Sequence, residues 1–195
     1  MYDSFFKIQN ELEPNLRKGD LDSCIERVIN ELKSIPDSPF HDAIKMVITN
    51  PVEEVAQYFD KFFETEAARF TLEAAYAETN GFNINPDLWY FDVFAFSSYG
   101  GLSDFEWLSE WQSDYFPPMQ ITGFEKLQEV YGSDAFHNSE FDAASSIAGL
   151  LFLIRFQELI KRASVKMKHL KFPLLATAHD YEFFYQTPTG IRNEE

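Results

Sequence analysis

One cysteine, Cys24, stands in 195 residues. That is too few for an internal disulfide and fits a reducing compartment. Basic side chains are scarce too: 16 Lys and Arg face 32 Asp and Glu, for a net charge of −16 and a pI ≈ 4.6. This balance disfavours nucleic acid, whose phosphates demand basic surface, and disfavours anionic membranes for the same reason. Neither G-x-G-x-x-G nor G-x-x-x-x-G-K-[ST] occurs, so no phosphate-cradling loop is read. The serines lack a G-x-S-x-G setting, which argues against a nucleophile elbow. The longest uncharged apolar run, SSIAGLLFLI, stops at Arg155, far short of the ~20 residues that cross a bilayer. The opening stretch MYDSFFKIQNELEP has no basic segment ahead of an apolar one, so no secretory leader is expected. A cytoplasmic protein of bacterial type is the simplest reading.

What the chain has in quantity is aromatic mass. Hydrophobic residues make up 45% and aromatics 17%, with 21 Phe, so a packed core is expected where a disordered chain would have little to bury. A chain of this length fits one domain and can bury roughly 70% of its extended surface. We read a single α+β domain over residues 1–195, with a helical portion at 1–80 packed on a mixed portion at 81–190.

The helical portion rests on spacing. Leu21, Cys24, Ile25, Val28, Ile29 and Leu32 recur at helical intervals before Pro36, and Cys24 on that apolar face reads as core. A shorter helix is expected from Pro39 to about Ile48. Asn50 as N-cap, Pro51 and Glu53 then predict a long helix whose stripe runs through Val52, Val55, Phe59, Phe62, Phe63, Phe70, Ala74 and Ala77 to Asn80-Gly81, with a break near Thr65. The period then changes. Residues 88–96 are apolar on both alternate sets, as in a strand covered on both faces. The capping patterns Ser103–Glu106 and Thr122–Glu125 predict short helices to about Trp111 and Tyr131, with an extended link at 116–121 between them. A long central helix is expected at about 140–170. Residues 172–178 and 181–187 then predict a strand pair around His179-Asp180, beside the 88–96 strand, followed by a loose tail at 190–195.

Charge is unevenly distributed. Residues 103–142 hold nine acids and one base, Lys126, while residues 155–171 hold six bases and one acid, Glu158. Within the acidic stretch, Glu106, Trp107, Glu110, Trp111 and Asp114 combine two indoles four residues apart with carboxylates. On a helix both rings share one face. Tryptophan anchors many interfaces, and carboxylates around it suit a partner rich in Lys and Arg; the competing reading makes both rings lids over the core. The basic stretch either caps a helix C-terminus or pairs with the acidic belt.

Asp92, between Tyr90 and Phe94, is a carboxylate in an apolar setting, the environment in which enzymes raise a carboxyl pKa. The competing reading bonds it to a Trp, Tyr, Ser or Arg as part of the scaffold, and we favour that. His179 and Asp180 are the remaining candidates for acid–base work or metal binding, if they converge with Asp92 within about 3–5 Å. No metal motif and no cofactor motif is present, and His41, His137 and His169 are scattered. The function expected from all this is an acidic, non-enzymatic interaction module for a basic protein partner, in the manner of an immunity or antitoxin-type inhibitor. An enzyme or small-molecule binder with an aromatic pocket lined by Trp89, Tyr90 and Phe91 around Asp92, His179 and Asp180 is the alternative. A homodimer built by pairing of the apolar strands is a third.

Overall fold

Two helices open the chain, each held by an apolar stripe. The computed structural model describes residues 2–188, with side chains from Phe6 onward; the tail at 190–195 lies outside them. Helix α1 (Tyr2–Arg17) buries Ile8, Leu12 and Leu16, spaced one turn apart. Helix α2 (Leu21–Ser34) starts at Asp20, whose side chain accepts a 3.2 Å hydrogen bond from the Ser23 amide. That bond satisfies one of the free N–H groups of the first turn. The buried stripe is the expected one, Leu21, Cys24, Ile25, Val28 and Leu32. Burial pushes the Cys24 thiol up to about 11, so at neutral pH it is a small apolar group rather than a nucleophile.

The segment after Pro39 is a tight 3-10 turn, Pro39–Lys45, shorter than the helix expected there. Helix α3 (Val52–Ala67) follows, presenting Val55, Phe59, Phe62 and Phe63 to the core. Two expectations need correction at this point. Pro51 occupies the cap position of α3, and the Asn50 side chain instead reaches across the chain, donating to the Gln120 carbonyl (2.8 Å) and accepting from the Thr122 amide (2.9 Å). More importantly, the helix does not continue to Asn80. It stops at Ala67, and Ala74–Thr79 is strand β1, the middle of the sheet. An alanine-rich stretch has little period of its own. Ladders on both sides supply the hydrogen bonds a helix would have made, and tertiary pairing overrides propensity.

The remaining elements are β2 (Tyr90–Phe96), β3 (Met119–Gln120), α4 (Glu125–Tyr131), α5 (Asp142–Ser164), β4 (Leu174–Ala178) and β5 (Tyr185–Gln186). The sheet runs β3-β2-β1-β4-β5. All neighbours are antiparallel except β1 and β4, which are parallel, with Ala75 opposite Leu174 and Thr79 opposite Ala178. This is an α+β fold with a helical N-terminal part, a small mixed sheet and a long central helix, as the patterning predicts. The C-terminal strand pair forms as expected, but it lies beside β1 and not beside β2.

Helix α5 is apolar nearly all round, and every residue from Ile147 to Phe156 except Arg155 is buried. With the turn before it, residues 139–164, it is long and apolar enough to cross a membrane, yet 78% of its most apolar stretch is buried inside the fold. It packs on the sheet face formed by Ala75, Ala77, Phe91, Ala95, Leu174, Ala176 and Ala178. The alanines let helix and sheet come close. Large rings fill the ends: Trp89, wholly buried, sits 4.4 Å from the Phe152 ring and donates its Nε1 hydrogen to the Phe82 carbonyl at 3.0 Å. Such ring pairs add about 0.5–1.5 kcal/mol each beyond the area they bury.

Candidate functional site: an acidic, aromatic sheet face

The opposite face of the sheet carries Ala74, Tyr76, Glu78, Tyr90, Asp92, Phe94, Phe96, Leu175 and Thr177, because side chains alternate along each strand. Half of this face is covered. Residues 97–111 cross it as a strap: Trp107 packs edge-on against Phe96 (4.8 Å) and Tyr99 (5.5 Å), Tyr99 Oη donates to Gln186 Oε1 at 2.5 Å, and Phe105 stacks on Phe184 at 4.1 Å. Tyr76, Phe96 and Leu175 thus form a second, smaller core with Leu102, Trp107 and Leu108.

Glycine seats Trp107. A Cβ added to Gly100 would overlap Cδ1 and Cγ of the indole, and Gly101, at φ 85°, accepts the 3.2 Å hydrogen bond from Trp107 Nε1. The helical turn expected here is only the 3-10 turn Glu106–Ser109. Just before it, the Asp104 side chain accepts a hydrogen bond from the Glu106 amide. Trp107 and Trp111 therefore do not stack along one helix. They lie instead over the same sheet face, Trp107 on Phe96 and Trp111 on Phe94 at 5.2 Å. Trp107 is half-buried, whereas Trp111 keeps 50% of its surface.

Residues 112–121 then run along the outer edge of β2. The Gln112 amide donates to the Ala95 carbonyl (3.0 Å), the Ala95 amide to Ser113 Oγ (3.0 Å), and the Ile121 amide to the Trp89 carbonyl (2.8 Å). Pro117 and Pro118, which lack an N–H, fall in this edge segment. These bonds engage both ends of the outer edge of β2, whose other edge is paired with β1.

The carboxylates of the strap differ from one another. Glu106 and Glu110 are exposed and pair with no cation among the described residues. Asp114 is engaged: Arg69 Nη2 lies 3.0 Å from its Oδ1, while Arg69 Nη1 pairs with the buried carboxylate of Glu66. The bases of residues 155–171 look elsewhere. Lys166 binds Glu53 (2.8 Å), Arg155 binds Glu158 (2.9 Å), and Lys161 Nζ donates to the Gly19 carbonyl (2.7 Å). They do not neutralise the strap.

The uncovered half of the face holds the other candidates. Asp92 lies directly across from Glu78 of β1. Burial pushes its carboxyl above the ordinary value. No side-chain hydrogen bond to Asp92 is made among the described residues, so the Trp, Tyr, Ser or Arg partner expected for it is not seen. His179 lies beyond Glu78, with Nδ1 3.1 Å from Glu78 Oε1 and Nε2 3.7 Å from Asp180 Oδ1, and Asp180 adopts a left-handed φ of 65°. Asp92, on β2, and His179, in the turn that follows β4, therefore lie on either side of β1. Glu78, which the helical reading of 51–80 had hidden, is the link between them. The pocket expected from Trp89, Tyr90 and Phe91 does not form: Trp89 and Phe91 point into the α5 core, and Tyr90 points to the other face. Among the described residues no group of three or more His, Cys, Asp or Glu is arranged to hold a metal ion.

Comparison with models of known protein families, with curated proteins and with solved structures gave no match.

Proposed function

We propose that the protein is an acidic interaction module that docks a basic protein partner through the strap and the sheet face beside it, as an immunity or antitoxin-type inhibitor does. The observation that carries this reading is the combination at residues 106–111: an indole left half-exposed on an aromatic platform, with Glu106 and Glu110 unneutralised beside it. Monomer surfaces have little reason to leave a tryptophan so placed, and tryptophans dominate binding hot spots. Carboxylates at the rim steer a cationic partner and speed its arrival. Trp111 would be the anchor, Glu106 and Glu110 the steering groups, and Trp107 the support on which the strap rests. Asp114, held by Arg69, would shape the patch more than it attracts.

The test is capture from a lysate by the immobilised protein at about 0.05 M and about 0.5 M salt, where screening lengths differ several-fold. Specific capture at low salt that fades at high salt, and is lost in both E106Q/E110Q and W111A, supports the reading. Capture that is indifferent to those changes overturns it.

A second reading, a catalytic or small-molecule centre around Asp92, His179 and Asp180, draws on the 3.1 Å contact of His179 with Glu78. It requires the three groups to act on one ligand although β1 separates Asp92 from the other two, and the docking reading needs no such convergence.

A further inference from the structure

We propose that the uncovered half of the sheet face, centred on Asp92, is the seat for an arginine side chain presented by the basic partner. The proposal rests on the docking reading above and names the chemistry of its focal contact.

Asp92 is a half-buried carboxylate with no hydrogen-bond donor among the described residues. Its carboxylate is still open to solvent, and therefore to an incoming ligand. Its cross-strand neighbour, Glu78, carries like charge, a pairing that destabilises a sheet. Among the described residues no cation pairs with Asp92. Arg69 is committed to Glu66 and Asp114, Arg17 to Glu13, and His179 approaches Glu78 from the far side. An arriving cation would pair with Asp92, whose carboxyl is disfavoured in its charged form by burial.

The walls select arginine. Tyr90 and Phe94 flank Asp92 on the same face, two residues to either side, and Trp111 leans on Phe94 at 5.2 Å with half its surface free. A guanidinium plane stacks on such rings while its edge gives two parallel N–H donors to a carboxylate; an ammonium does neither as well. The mode of approach follows from the edges. Because residues 112–121 bond both ends of the flank of β2, a partner reaches the face with its side chains more readily than it adds a strand there.

The probe is a capped peptide of alternating glycine and arginine, set against the same peptide with lysine, titrated into the full chain by tryptophan fluorescence. The arginine peptide is expected to bind about tenfold more tightly than the lysine peptide, and D92N is expected to lose about tenfold of that affinity, the scale of one bidentate charged contact. E106Q/E110Q should lose only a few-fold and show a flatter salt dependence. D92N removes a like-charge neighbour, so its thermal midpoint should not fall, and a lost affinity cannot be blamed on unfolding. Equal binding of the two peptides, equal binding by D92N and the unaltered chain, or no binding at all overturns the proposal. Should the arginine peptide ignore Asp92 while lysate capture still depends on Glu106, Glu110 and Trp111, the arginine seat falls and the docking reading stands. The reverse pattern leaves the seat and removes the wider patch.

Discussion

Arg69 joins two carboxylates of opposite character: through Nη1 it pairs with Glu66, which is 1% exposed, and through Nη2 it holds exposed Asp114 at 3.0 Å. One guanidinium thus ties the end of α3 to the segment that follows Trp111.

Removing that guanidinium should be costly out of proportion to its exposure. R69M leaves Glu66 buried without its cation, and an orphaned buried polar group costs about 1–3 kcal/mol, more when charged. The expected outcome is a loss of that order in denaturant melts. Trp111 emission should also become more accessible to a soluble quencher. A variant as stable as the parent would mean that Glu66 finds other partners.

Substitution at Gly100 should act on a residue seven positions away. In G100A the new methyl competes for the space of the Trp107 ring, and overpacking of this kind costs typically about 1–3 kcal/mol. Near-ultraviolet circular dichroism should change along with stability, because Trp107 loses its fixed contacts with Phe96 and Tyr99. G101A tests the same turn through its backbone, since φ there is 85°.

Asp92 predicts a pH dependence with a definite sign. Its carboxyl is raised in the folded protein by burial, so the folded state holds this proton more tightly than the unfolded chain does. The stability it contributes is fully present below the unfolded value and is lost as pH rises through the folded one. D92N, which cannot ionise, should therefore gain on the parent protein as pH climbs from the acid side of the carboxylate range to neutrality. Melting curves of both across that range give the check; a gap that is constant with pH, or that closes, contradicts it.

The core offers a contrast. Trp89 is fully buried among Phe82, Phe124, Tyr131 and Phe152 and gives its one hydrogen bond to the Phe82 carbonyl. W89A should cost about 3–5 kcal/mol. W89F should cost less, near the ~1–3 kcal/mol of a buried carbonyl left unpaired. Chemical denaturation distinguishes the two.

How much of this was legible beforehand depends on where a segment's hydrogen bonds go. Helix α2, the long core helix and β2 announce themselves because their apolar residues recur at one period over several turns or positions. Strand β1 does not. Its AAYAET is compatible with a helix by composition, and only neighbours distant in sequence make it a strand. The same failure hid Glu78, and with it the connection between Asp92 and His179. Strand β3 falls within the extended link expected at 116–121, which is how a Pro-Pro segment looks without its partner, and the edge bonds of residues 112–113 carry no signal of their own. The indoles at 107 and 111 were visible as a pair, but the shared sheet face beneath them was not, because it is built by Phe94 and Phe96 of another element.

The parallel seam between β1 and β4 sets the order in which this molecule can be completed. Residues 75 to 79 can pair with β2 early but cannot find their parallel partner until residues 174 to 178 have been made. Until then the nascent chain carries helices and one hairpin, with the alanine edge of β1 open and a greasy helix unseated. Truncation before that last pairing should therefore leave a strand edge and an apolar helix uncovered, and yield aggregate instead of a smaller folded protein.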